Sequence, residues 1–205
     1  MDRGRLEAFS DGVIAVAITL LALDLAVAGP GHGPLLRQLA DHWPSFVAYL
    51  ISFFTIGIIW VNHHALMQNV AVVDRTLLYL NLLLLLFVVV IPFTTATMAE
   101  YLTSGGQDAR VAMALFAASF EGMGLSFGLI FEWTLGDGRT HHPVPKEARW
   151  AARRRFSVGA VAYIVAIAVA FISAPAALAV VGLVAAYYIF ERTPAADRSR
   201  NEPEA

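Results

Sequence analysis

The chain has no cysteine, which excludes disulfides, thiolate metal sites and a cysteine nucleophile. Charge is scarce as well. Asp, Glu, Lys and Arg make up 15% of the 205 residues, against 58% hydrophobic residues and a mean hydropathy of +0.64. A soluble domain of this length needs far more charge, so the composition describes an integral membrane protein whose partner is the lipid bilayer. With a formal net charge of -2 there is no basic excess to meet phosphates, which argues against a nucleic-acid partner. There is no Walker loop, no Gly-x-Ser-x-Gly and no dinucleotide fingerprint, so no enzyme machinery is visible and no cofactor is expected. Also absent are the Thr-Val-Gly-Tyr-Gly filter of ordinary potassium channels and the repeated arginines of a voltage sensor. No internal repeat or second domain stands out.

What the chain does have is six apolar segments, each near the roughly 20 residues a helix needs to cross a bilayer. They fall at about 6–28, 44–69, 76–99, 108–133, 152–173 and 176–191. The Gly/Pro/His-rich link 29–34 ends the first, and Leu35 to His42 reads as a small interfacial helix. Trp43-Pro44 opens the second span with an interfacial aromatic and a first-turn proline, and Trp133 reads as an interfacial anchor closing the fourth. Residues 1–192 therefore read as one six-helix all-α transmembrane domain, and 193–205 as a disordered cytoplasmic tail. With six crossings, all but Arg37 and Arg110 of the 14 lysines and arginines lie on one side of the membrane. The positive-inside rule then puts both termini in the cytoplasm, with the cell membrane as the location.

The first span carries polar groups at costly depth: Asp11 near its start and Thr19 at its middle. A cleaved signal peptide, with Arg3 and Arg5 as its basic region and Ala26-Val27-Ala28 as its cleavage site, is opposed by Asp11 and Asp24 in what must be an uncharged core. At 100° per residue Phe9, Gly12, Val16, Thr19, Leu20 and Leu23 share one face, with Arg5 at its end, while Asp11 points nearly the opposite way. Thr19 has two readings. Its hydroxyl returns to a carbonyl one turn earlier, as is common in membrane helices, or it joins a ring of hydroxyls around an axis. Several copies of the helix would stack rings of Val16, Thr19, Leu20 and Leu23, combining hydrophobic constrictions with oxygens that replace part of an ion's water. One chain cannot supply such rings, so this reading requires an oligomer.

A second constellation joins Ser10 and Asp11 to Trp60, His63, His64 and Asn81. Trp60, His63 and His64 lie three and four residues apart on one helical face. A zinc site is the alternative, but adjacent histidines point about 100° apart and no Glu stands beside them as a general base, so no metal is expected. A hydrogen-bonded bracket that fixes the rotation of the first helix is the preferred reading. Glu121, midway along the fourth span, is either an ion or proton relay, or else a protonated or paired group with Arg110 or a hydroxyl as its partner. A proton-coupled secondary transporter using Glu121 with His63 and His64 is thus the rival to a channel.

Arg5-x-x-x-Phe9-Ser10-Asp11-Gly12, followed by Ala17-Ile18-Thr19-Leu20-Leu21-Ala22-Leu23, resembles the signature helix of the transmembrane protein 175 family of lysosomal potassium channels and their bacterial relatives. Ser52-Phe53, Trp60-x-x-His63-His64, Asn81 and Pro92-Phe93 are similar to the family's second and third spans. The resemblance implies a homotetramer of six-helix protomers. Its first helices line a pore without a re-entrant filter loop and favour potassium over sodium among monovalent cations. It puts the narrow hydrophobic layer at Val16, the hydroxyl layer at Thr19 and further apolar layers at Leu20 and Leu23, with Arg5 in the polar network beside Ser10 and Asp11. Val16 departs from the isoleucine or leucine usual there, and a shorter side chain implies a wider constriction.

Overall fold

The computed structural model describes residues 2–190; the tail expected from 193 onward lies outside the described residues. The described chain is helical, in the order α1 (Arg3–Leu20), α2 (Leu35–Asp41), α3 (Trp43–Gln68), α4 (Arg75–Tyr101), α5 (Gly106–Thr134), α6 (Lys146–Ala170) and α7 (Ala174–Phe190). A 3-10 turn, Leu21–Asp24, continues α1. Among the described residues four helices, against the six spans expected, are long and apolar enough to cross a membrane: Arg3–Asp24, Trp43–Gln68, Arg75–Tyr101 and Gly106–Thr134.

The α4–α5 pair is the most extensive contact in the bundle, with α6 and α7 packed as a hairpin against α5. Close approach follows from small residues: a Cβ on Gly122 of α5 would run into the Phe87 ring of α4, and one on Gly159 of α6 into Tyr188 of α7. A ladder of hydroxyls crosses three helices. Ser52 and Thr95 are 2.8 Å apart, Thr94 and Ser119 3.0 Å, while Thr95 also donates to the Ile91 carbonyl. These threonines follow Pro92, whose missing N–H interrupts the backbone ladder of α4.

The first span ends earlier than its hydropathy suggests. Regular helix stops at Leu20, and past Asp24 the chain turns into the 25–34 link. Gln38 holds that link: its side chain accepts from the Gly29 N–H at 2.9 Å and donates to the Gly29 and Gly33 carbonyls. Both glycines have positive φ (88° and 96°), which side-chain-bearing residues rarely adopt, so the link leaves the helix here. At the other end of the bundle the α5–α6 loop is stitched to the α3–α4 loop. Ala71 N–H donates to the Arg139 carbonyl, and Asn69 Nδ2 to the carbonyl of His142.

α1 lies against α3 and α4 at one side of the bundle. Leu6, Ser10, Ile14, Ala17 and Leu21 are buried, a spacing of three and four residues that defines its inward face.

Candidate ion pathway

The inward face of α1 fixes what is left outside. Val16 is 57% exposed, Leu20 40% and Leu23 73%, with Phe9, Gly12 and Thr19 exposed on the same side. The positions grouped by helical angle therefore form one continuous free face of the protomer. Thr19 satisfies its donor within the helix, giving its proton to the Val16 carbonyl at 2.8 Å. That bond takes the hydrogen and leaves the oxygen's lone pairs outward, and lone pairs are what a cation uses. The two readings of Thr19 are thus compatible in one rotamer.

The rotation of α1 is pinned by buried polar groups. Asn81 of α4, fully buried, donates from Nδ2 to Ser10 Oγ at 2.9 Å, and Ser10 in turn donates to the Leu6 carbonyl. The Asn81 carbonyl oxygen lies 2.8 Å from His63 Nε2. A carbonyl oxygen only accepts, so this arrangement puts a proton on that nitrogen. Nearer the surface, Trp60 Nε1 donates to Asp11 Oδ1 at 2.9 Å. His64 goes its own way, exposed, stacked on Trp60 and 3.0 Å from Gln68 Nε2. Ser10, Asp11, Trp60, His63 and Asn81 thus come together as the bracket, with His64 packed on its edge. Arg5 does not join. It is exposed at the end of the free face, because its helical angle matches Val16 rather than Ser10. Among the described residues no cluster of three or more His, Asp or Glu could hold a metal.

Several features were not signalled by sequence. Glu7, bridged to Arg3 at 3.8 Å, buries its Oε1 without a hydrogen bond beside the bracket. Helical spacing on α1 gives the Arg3 pair, but nothing marks its depth. Trp133 is not an interfacial anchor: it is buried, with the Arg139 guanidinium 4.8 Å over its ring, because the α5–α6 loop folds back onto it. Among the described residues Glu121 finds neither Arg110 nor a hydroxyl as a hydrogen-bond partner. It is 9% exposed and lines a cavity of about 550 Å³ between α3, α5, α6 and α7. Neither His63 nor His64 lines that cavity.

At the opposite end of the bundle, Asp24, Asp41 and Glu100 line a hollow of about 400 Å³ with His42. Three carboxylates near the last turn of α1 favour cations there over anions.

Comparison with known proteins gives the family. Residues 5–92 match the family model described as the endosomal/lysosomal potassium channel TMEM175. A protein from Streptomyces collinus described as a potassium channel is 43% identical over 98% of both chains. The endosomal/lysosomal proton channel TMEM175 of Gallus gallus is 31% identical, covering 70% of this chain and 30% of its own. The fold matches the crystal structure of a lysosomal potassium-selective channel TMEM175 homolog from Chamaesiphon minutus with a TM-score of 0.79 at 37% identity, over 91% of this chain and 96% of that one. The chain is a membrane protein and belongs to the TMEM175 family of ion channels.

Proposed function

We propose that four copies of this chain assemble around α1 and pass potassium, with a modest preference over sodium, through a pore that has no re-entrant filter. The observation that carries this reading is the free face of α1: Val16, Thr19, Leu20 and Leu23 stay exposed on a helix whose rotation is locked by the Ser10–Asn81–His63 and Asp11–Trp60 bonds. A helix that only meets lipid gains little from a fixed rotation, since lipid accepts its apolar residues in any direction. A pore helix depends on it. Relatives described as potassium channels along nearly the whole chain support the same conclusion.

In such a pore Val16, Leu20 and Leu23 would form dewetting constrictions and Thr19 a ring of lone pairs. Potassium holds its water less tightly than sodium and loses less on partial dehydration, and neutral hydroxyls cannot repay sodium for its shell. Selectivity is therefore modest, with potassium in transit near Thr19. Six crossings need α6 and α7 to span as well: at 1.5 Å per residue the apolar part of α6, 156–170, reaches about 23 Å and the 17 residues of α7 about 26 Å. The shorter is within the mismatch a bilayer absorbs. Both termini are then cytoplasmic in the cell membrane, and residues 1–192 act as one channel domain.

Potassium flux from purified protein in liposomes tests the function directly. Large linear currents that follow the ion gradient support a channel. An intact oligomer without flux overturns it, and slow flux abolished by Glu121→Gln would make the protein a transporter instead. Thr19→Val should move the bi-ionic potassium/sodium reversal potential toward zero, and an unchanged value removes Thr19 from the selective layer.

A further inference from the structure

The cavity around Glu121 is separate from the proposed pore, for no residue of α1 lines it. Its volume, about 550 Å³, lies within the roughly 300–1,000 Å³ of small-molecule sites. Aromatic rings make up much of the wall. Phe120 stacks on Tyr163 with centroids 5.7 Å apart, and Phe127 meets Phe156 edge-on at 5.5 Å.

The charges in this hollow are unequal. At the rim Arg153 donates twice to Glu132, each bond 2.7 Å, so that pair neutralises itself. Deeper in, Glu121 is 9% exposed, and among the described residues it makes no hydrogen bond or ion pair. An acid that lines an apolar hollow and has no protein partner calls for a proton or a cation. The ring faces around it attract the same sign of charge, while the apolar wall asks for a hydrophobic body. A carboxylic acid would set two acid groups against each other, and a neutral hydrocarbon would leave Glu121 unanswered.

We propose that this cavity binds a compact amphiphilic amine, its ammonium on the Glu121 carboxylate and its apolar body among Phe120, Phe127, Phe156 and Tyr163. The amine enters as its ammonium and the Glu121 proton leaves to water, so charge balances within the site. Gly124 and Gly128 face open space on the same wall, with nothing within 4 Å of an added Cβ, which allows the hollow to be filled without touching Glu121.

The test is calorimetric titration of the whole protein in phosphatidylcholine nanodiscs, with empty nanodiscs as the reference. The probes are 4-phenylbutylamine and 4-phenylbutan-1-ol. The amine should bind at least about tenfold tighter than the alcohol, a margin of about 1.4 kcal/mol. Glu121→Gln should bring the amine down to the alcohol's affinity, Gly128→Leu should abolish binding of both, and Thr19→Val should leave both unchanged. Four results overturn the proposal: no saturable amine binding, equal affinity for amine and alcohol, undiminished amine binding in Glu121→Gln, or its loss in Thr19→Val, which would place the amine in the pore. If Glu121→Gln does not assemble, Gly128→Leu decides alone, since amine binding that survives a filled cavity refutes the site.

Discussion

Replacing Asn81 with leucine removes the centre of the bracket while keeping the number and branching of its side-chain heavy atoms. Asn81 is fully buried and serves two partners at once, Ser10 on α1 and His63 on α3. Their losses differ. Ser10 keeps its bond to the Leu6 carbonyl, so the cost on that side is near the average of about 0.6 kcal/mol for an interhelical hydrogen bond in a membrane protein. His63 is 1% exposed and has no second acceptor at Nε2, so its orphaned donor adds about 1–3 kcal/mol. The sum is about 2–3 kcal/mol, or roughly a hundredfold in the folding equilibrium. Unfolding in mixed micelles by added dodecyl sulfate, followed by circular dichroism, measures it. The sharper arm is the double variant Asn81→Leu with His63→Phe: removing the orphan should restore most of the loss, making the double variant more stable than Asn81→Leu alone. A loss under about 0.5 kcal/mol, or a double variant whose cost is the sum of the singles, refutes the assigned network.

Two further outcomes follow from the packing. Gly122→Ala forces a methyl group into the Phe87 ring and should cost about 1–3 kcal/mol in the same titration, whereas Gly124→Ala, with nothing within 4 Å, should cost nothing measurable; equal stability of the two would contradict the α4–α5 contact. Val16→Phe grows from a side chain already 57% exposed, so the protomer should fold unchanged while single-channel conductance falls, and unaltered current would locate the constriction elsewhere.

The first four spans were legible because apolar length is set by the bilayer, and the rotation of α1 because 100° per residue separates Ser10, Ile14 and Ala17 from Val16, Thr19 and Leu23. Asn81 and Asp11 announced themselves as polar groups in apolar runs. What stayed hidden depends on how neighbouring helices turn toward one another. Ser52 and Thr95 find each other across α3 and α4, yet a lone hydroxyl in a membrane helix ordinarily bonds its own backbone, so the sequence gives no sign of a partner. Trp133 has the composition of an interfacial anchor and becomes core only because the loop carrying Arg139 folds over it. Glu121 is visible as an acid in an apolar span, but its cavity is a property of four helices together. Arg5 shares a motif with Ser10 and Asp11 without sharing their face.

The central claim is that the exposed face of α1 borders a water-filled path rather than lipid. The natural absence of cysteine makes the decisive measurement clean. Single cysteines at Thr19 and Leu23, on the free face, and at Leu183, 71% exposed on α7 and so off the α1 face, are each treated with a membrane-impermeant cationic methanethiosulfonate or with silver ion while potassium current is recorded. The account predicts block of the Thr19→Cys and Leu23→Cys channels by silver with Leu183→Cys spared. Current that persists through the first two, or block confined to Leu183→Cys, would show that the stripe faces lipid and that ions travel elsewhere.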